Sequence, residues 1–171
     1  MGATKVLLID DDELCCLRPL TRAFRTLGCD VTTATDGQVG LKLAALFRPD
    51  CTIVDDVMPG VPGSELIQPV RLAVPRTFII LYSGALSLMS AFVAGRGGAD
   101  ALVEKPTSAR YLLELFRTSR GSTPGPNLDQ LARDAVFQVL ARTGGNKTEA
   151  ARQLGITRRG LQKKLKKWGE C

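Results

Sequence analysis

Histidine is absent from the 171 residues. That removes a Ser-His-Asp triad, a Cys-His pair and any zinc site with an imidazole ligand. No C-x-x-C pair occurs either. The cysteines, Cys15, Cys16, Cys29, Cys51 and Cys171, are odd in number, so neither a disulfide framework nor a zinc knuckle is expected. Small buried hydrophobes in a reducing compartment are the simpler reading, and adjacent Cys15 and Cys16 are the one pair that leaves redox sensing open. Long apolar runs are missing. Val6–Ile9 and Phe78–Tyr82 are too short to span a bilayer, and the opening Met-Gly-Ala-Thr-Lys lacks the apolar core of a signal peptide. A cytoplasmic setting with no membrane partner is expected.

What remains is an ordinary globular composition, 44% hydrophobic and 23% charged. The length fits one domain of roughly 120 residues plus a small module, or one larger domain, with enough core to need no staples. The net charge of +6 is unevenly placed. Residues 1–127 carry 13 basic and 13 acidic side chains, whereas residues 128–171 carry 10 basic and four acidic ones. All of the excess therefore lies in the last stretch, which points to an anionic partner for that part alone. Between the two parts, residues 121–127 (Gly-Ser-Thr-Pro-Gly-Pro-Asn) cannot continue a helix and read as a linker.

In the first part, short β-branched runs alternate with helical patterns. Strands are expected at Lys5–Ile9, Asp30–Ala34, Cys51–Val54, Phe78–Tyr82 and Ala101–Val103. Helices are expected at Leu14–Leu27, Gln38–Phe47, Ser64–Leu72, Ser87–Ala94 and Ser108–Arg120. Five strands alternating with five helices imply an α/β fold, a five-stranded parallel doubly wound sheet covered on both faces. Pro19 and Pro69 fall inside two of these helices, where a proline costs about 3 kcal/mol, so kinks or shortened helices are expected there.

Polar groups stand where the strands end. Asp10 and Asp11 follow the first, Asp55 the third and Ser83 the fourth, and Lys105 closes the fifth. The carboxyl ends of such strands form the ligand crevice, so these five groups are expected to converge. Three carboxylates without matching bases repel one another unless a hard divalent cation sits among them, and oxygen-only ligands suit Mg²⁺. A Ser83 hydroxyl and a Lys105 ammonium suit a phosphoryl group landing on Asp55, because phosphoryl transfer needs positioning and charge neutralisation above all. Asp56 and Asp12 are the alternative acceptor and ligand, although strand alternation turns Asp56 away from Asp55.

Val6-Leu-Leu-Ile-Asp-Asp-Asp12, Pro49-Asp-Cys-Thr-Ile-Val-Asp-Asp-Val-Met-Pro-Gly60 with Gly63, Leu81-Tyr-Ser-Gly84, Gly98-Ala-Asp100 and Glu104-Lys-Pro106 occur in order. With this text, residues 4–120 resemble the receiver domain of bacterial two-component response regulators. The resemblance implies a flavodoxin-like receiver fold with Asp55 as phosphoacceptor. It implies Mg²⁺ held by Asp10, Asp11, Asp55 and the main-chain carbonyl of Val57, with Ser83 and Lys105 on the phosphoryl oxygens. The donor it implies is a histidine on a separate kinase. Leu102 stands where the family usually has Tyr or Phe, so an aromatic switch is not expected. Val57 and Ala85 are apolar where a hydrolytic water would be oriented, so a slowly hydrolysing phosphoaspartate is expected.

Residues 128–171 read as a small all-α helix-turn-helix domain. Leu128, Leu131, Ala132, Ala135, Val136, Val139 and Leu140 give an amphipathic helix ended by Thr143-Gly-Gly145. Asn146-Lys-Thr-Glu149 begins a second helix in capping-box style and runs it to about Leu154. Gly155 allows a tight turn, and Thr157 caps a third helix from Arg158 to about Trp168. That helix carries Arg158, Arg159, Lys163, Lys164, Lys166 and Lys167. A lysine-rich helix alone is as often a solvated surface. After a capped helix-turn, insertion into the major groove of double-stranded DNA is the better reading, with the arginines near base edges and the lysines on phosphates. The stretch from Gly144 to Leu165 resembles the Fis-type DNA-binding domain that ends nitrogen-regulation-class activators, and over 128–168 Gly160 departs from it at about 1 kcal/mol of helix propensity. No G-x-x-x-x-G-K-[ST] loop and no room for an ATPase are present, so the combination resembles short regulators of the RegA/PrrA/ActR type, not an enzyme. That resemblance implies phosphorylation-controlled transcription and a homodimer. An aspartate-nucleophile phosphatase using the Asp10-Asp-Asp12 run, and a phosphorylation-independent nucleoid-like or protein-interaction module, are the rival readings.

Overall fold

A computed structural model describes residues 2–84, 88–119, 133, 136–137 and 139–169. Five strands, β1 (Lys5–Ile9), β2 (Asp30–Ala34), β3 (Cys51–Asp55), β4 (Phe78–Ser83) and β5 (Ala101–Glu104), form one sheet in the order β2-β1-β3-β4-β5. All four pairings are parallel, with Leu7 opposite Thr32 and Thr52, and Ile80 opposite Ile53 and Ala101. Helices α1 (Arg18–Thr26), α2 (Gly37–Phe47), α3 (Gly63–Ala73) and α4 (Leu88–Gly97) make the four crossovers, and α5 (Ala109–Ser119) follows β5. The expected strands and helices are all present, with ends shifted by a residue or a few.

Parallel strands buried on both faces need apolar residues of both parities, and β1 shows how they are divided. Val6 and Leu8 enter a cluster with Leu17, Phe24, Leu112 and Phe116, under α1 and α5. Leu7 and Ile9 enter a second cluster with Ala44, Leu66, Ile67 and Ala94, under α2, α3 and α4. Leu102 packs against this second cluster.

The first helix differs from expectation. A π-helical turn, Glu13–Leu17, precedes α1, and the Asp12 carboxylate caps it by accepting from the Cys15 N–H at 2.8 Å. Pro19 thereby falls in the first turn of α1, directly after the π-helical turn, where the hydrogen-bond register of the helix changes. Pro69 stays inside a continuous α3, in a half-buried position next to exposed Gln68. Its unmade bond would have gone to the carbonyl of exposed Glu65, four residues back. The cysteines also depart from a uniform buried set: Cys29 and Cys51 are buried, Cys16 is half-buried and Cys15 is exposed.

The second unit has its own core of Val136, Val139, Ala150, Ala151, Leu154, Leu161 and Leu165. Residues 133, 136, 137 and 139–142 are helical. They are followed by α6 (Lys147–Gln153) and α7 (Arg158–Lys167). The 121–127 linker and Leu128, Leu131, Ala132 and Ala135 lie outside the described residues, as do Ala85 and Cys171. Among the described residues no helix is long and apolar enough to cross a membrane.

Candidate acidic site and basic module

The strand order reverses between β1 and β3, and the crevice at such a switch point opens at the strand C-termini. Asp10 leaves β1 there with 4% of its surface exposed, and Asp55 ends β3 with 6% exposed. Asp11, next to Asp10, is exposed. One carboxylate oxygen from each of Asp10, Asp11 and Asp55 lies within 4.8 Å of the others. The donor set is all oxygen and all anionic, which fits a hard divalent cation such as Mg²⁺.

Lys105 enters from just beyond β5. Its Nζ lies 2.7 Å from Asp10 Oδ2 and 2.9 Å from Asp55 Oδ1. Burial works against the ammonium, but the bonds to Asp10 and Asp55 outweigh it and hold its pKa above the ordinary lysine value. Burial raises the Asp55 pKa, and the Lys105 bond and the Val57 N–H work in the opposite direction. Asp10 also accepts the N–H of Asp12 at 2.8 Å, which fixes one oxygen while the other faces Lys105.

Gly63 explains why the loop after β3 can close on this site. Its N–H donates to the Asp56 carbonyl at 3.0 Å, and a Cβ there would stand 1.7 Å from the Asp55 carbonyl oxygen. No side chain fits at that approach.

The five predicted groups converge only in part. Asp10, Asp55 and Lys105 meet, with Asp11 beside them. Ser83 is fully buried, and its hydroxyl lies 3.5 Å from Asp56 Oδ2, at the long limit of a hydrogen bond. Alternation accounts for the difference. Ser83 has the parity of Ile79 and Leu81, Asp56 that of Val54, and all three hydrophobes belong to the α2–α3–α4 side. Asp55 has the parity of Ile53 and Cys51, on the α1–α5 side. Asp12 is taken up by its cap, outside the three-carboxylate cluster. Val57 is exposed.

Two side chains that the sequence reading did not assign to the pocket lie beside it. The Tyr82 ring lies 5.3 Å from Lys105 Nζ, and its hydroxyl accepts the Thr107 N–H at 2.9 Å, so it braces the segment that carries the lysine. Cys16, on the π-turn, has its thiol pushed up to about 12 by burial and by a hydrogen bond to Asp10. Tyr82 comes beside Asp55 because the two pair across β3 and β4, a register that the sequence alone does not state. Nothing in the sequence separated Cys16 from Cys15.

In the basic module the caps form as expected, with one correction. Asn146 Oδ1 accepts the N–H groups of Thr148 and Glu149, both at 3.1 Å. Glu149 does not reach back as a capping box requires. It binds Arg152 and Gln153, which hold its carboxyl down at about 2, while the Asn146 N–H is taken by the Thr143 carbonyl. Gly155 turns the chain at φ 65. Thr157 Oγ1 then accepts the Gly160 N–H at 3.0 Å, and a Cβ on Gly160 would come within 3.2 Å of that oxygen. The departure at Gly160 thus leaves room for the cap. Leu161 and Leu165 face the core, while Arg158, Arg159, Lys163, Lys166 and Lys167 are exposed. Lys164 is half-buried, its Nζ 3.9 Å from the ring centroid of Phe92 on α4 and 5.6 Å from that of Trp168.

Comparison with known proteins follows this division. Residues 6–117 match the response regulator receiver domain, and residues 128–168 match the bacterial regulatory protein, Fis family. The photosynthetic apparatus regulatory protein RegA of Rhodovulum sulfidophilum is 26% identical over 98% of this chain and 94% of its own. The acid tolerance regulatory protein ActR of Rhizobium meliloti is 28% identical over 98% of this chain and 89% of its own. A crystal structure of a response regulator protein from Burkholderia pseudomallei, with a phosphorylated aspartic acid, calcium ion and citrate, superposes with a TM-score of 0.64. It is 27% identical and covers 93% of this chain and 96% of that one.

Proposed function

The chain belongs to the response regulators of two-component systems, with a receiver domain and a Fis-type helix-turn-helix DNA-binding domain, and from that membership we propose that phosphorylation of Asp55 by a partner histidine kinase controls its binding to promoter DNA. In this reading the receiver comprises residues 4–120, the linker 121–127 and the DNA-binding domain 128–171. The observation that carries it is the Lys105 ammonium held between Asp10 and Asp55 beside a third carboxylate.

Asp55 is the nucleophile. A carboxylate oxygen attacks the phosphorus as the kinase imidazole leaves, and its desolvated setting raises its basicity. Lys105 neutralises charge on the transferred oxygens, and the Ser83 hydroxyl donates to one of them after turning from Asp56. Asp10, Asp11, Asp55 and the Val57 carbonyl hold Mg²⁺, which supplies positive charge to the phosphoryl oxygens. Val57 brings no polar side chain to orient a water, so the phosphoaspartate hydrolyses slowly. The protein acts in the cytoplasm, where its phosphodonor kinase domain and its DNA are found.

Lys164 connects the two domains. It is one of the lysines assigned to DNA phosphates, and here it lies over Phe92 of α4. A displacement of α4 on phosphorylation frees it, and the protein then binds two half-sites as a homodimer. Arg158 and Arg159 read base edges, and Lys163, Lys166 and Lys167 contact phosphates.

A gel-shift titration over salt, with and without a small-molecule phosphodonor and Mg²⁺, tests this reading in wild type and Asp55→Asn. Phosphodonor should tighten wild-type binding and leave Asp55→Asn unchanged. Binding indifferent to both would leave a DNA binder without a switch.

A further inference from the structure

A second polar cleft lies on the edge of the receiver, outside the acidic pocket. It has a volume of about 840 Å³, between α1 and the free edge of the sheet at β2. Arg18, Arg22 and Arg25 line one wall, spaced four and three residues apart and therefore on one side of α1. Thr33, on β2, and Thr35, just after it, line the opposite wall. They share the parity of Val31, which packs on the α1 side of the sheet, so their hydroxyls stand on the side where α1 lies.

The charges in this cleft do not cancel. Arg18 is paired with Glu13 at 3.0 Å. Arg25 donates one bond, to the Val31 carbonyl at 3.4 Å, which leaves most of its fork unused. The Arg22 guanidinium has neither a hydrogen bond nor an ion pair among the described residues, although it is flanked by both other arginines; only the Arg22 main-chain carbonyl is engaged, by the Thr26 hydroxyl at 2.9 Å. The floor adds an independent sign. Thr21 is among the residues that line the same cleft, and its Oγ1 is the one buried side-chain oxygen or nitrogen among the described residues with no hydrogen-bond partner. Two unneutralised guanidiniums and an orphaned hydroxyl on residues of one cleft are donors without acceptors.

We propose that this α1–β2 cleft binds a small phosphate-rich anion, one that carries at least two linked phosphoryl groups. Guanidinium forks match phosphoryl oxygens bidentately, and the threonine hydroxyls supply donors between them. The volume exceeds what one phosphate fills and suits a chain of two or three. Leu17 is the only large apolar side chain in the lining, and no aromatic ring is there to stack a base, so recognition falls on the phosphates and not on a nucleoside. Through the Arg18–Glu13 pair the cleft adjoins the turn that follows Asp11 and Asp12, so an anion here stabilises the end of α1 next to the acidic pocket.

The test is isothermal titration of the full chain with inorganic tripolyphosphate, in EDTA so that no divalent cation bridges the anion to the acidic pocket. One site per chain is expected, with a dissociation constant of about 1 mM or tighter. Arg22→Ala, an exposed position, should weaken it tenfold or more, and Arg22→Lys should recover part of the loss. A Lys163→Ala/Lys166→Ala variant, which removes charge from the basic module, should change it less than twofold. ATP should bind like tripolyphosphate, because recognition falls on the phosphates, and adenosine should not bind. Binding that survives Arg22→Ala but disappears with the lysine variant would overturn the proposal in favour of a DNA-backbone surface. So would equal binding of adenosine, or no saturable binding at all.

Discussion

The acidic pocket and the basic module use charge in opposite ways. In the pocket, Asp10 and Asp55 are almost wholly buried, and each is tied to one shared ammonium. In the module, five of the six cations expected at DNA lie on the exposed face of a single helix. Buried charge is costly unless it is paired, so the pocket tolerates little change at any one position. Exposed charge is cheap and acts collectively through counterion release, so the module loses a little with each substitution. The two regions also rest on separate cores.

Asp55→Asn is the sharpest break of that contrast. It should abolish uptake of the phosphoryl group, measured by intact mass after incubation with a phosphodonor and Mg²⁺, while DNA binding by the unphosphorylated protein persists. Label appearing on Asp56 or elsewhere in the variant would show that the buried site is less exclusive than its geometry implies.

Leu161→Ala strikes the other side. It removes a fully buried side chain from the module core and should cost about 2–5 kcal/mol there. Because the cores are separate, calorimetry should show the module's transition lowered and the receiver's retained, with phosphoryl uptake unaffected. A uniform shift of both transitions would show the two units to be energetically coupled.

Lys105→Met tests the buried pairing through pH. The folded pKa of Lys105 lies above its ordinary value of 10.5. Its contribution to stability is therefore complete below pH 10.5 and is lost as pH rises through the folded value. Without divalent cations, wild type should melt above Lys105→Met at pH 8, and the gap should narrow at still higher pH. A gap independent of pH would mean that packing of the lysine stem, not its charge, holds the pocket.

The smallest effect belongs to Lys163→Ala. Binding should weaken alike for specific and unrelated DNA, and the slope of log affinity against log salt should fall by about 0.9. A loss confined to one base-pair preference would move Lys163 from the phosphates to the bases.

Most of the fold was legible, because a doubly wound sheet writes each of its elements locally. Apolar runs such as Val6–Ile9 and Phe78–Tyr82 mark strands whichever neighbours they find. The module was legible for a related reason: Asn146, Gly155, Thr157 and Leu161 act within a few residues of themselves, through caps, a turn and a helix face. By sequence alone, then, this protein has an acidic set at strand ends, a neutral first domain and a basic second one. The tertiary structure decided which members of that set meet. Asp10, Asp55 and Lys105 lie up to 95 residues apart in the chain and are joined by bonds of 2.7–2.9 Å, while Ser83 sits on the other parity, beside Asp56. It also decided that Tyr82 braces the lysine, that Cys16 is half-buried while Cys15 is exposed, and that the α1 arginines face a wall of threonine residues. Periodicity tells which side of an element a residue occupies, but a contact between elements depends on where the strands are placed in the sheet, and only packing of the whole chain fixes that.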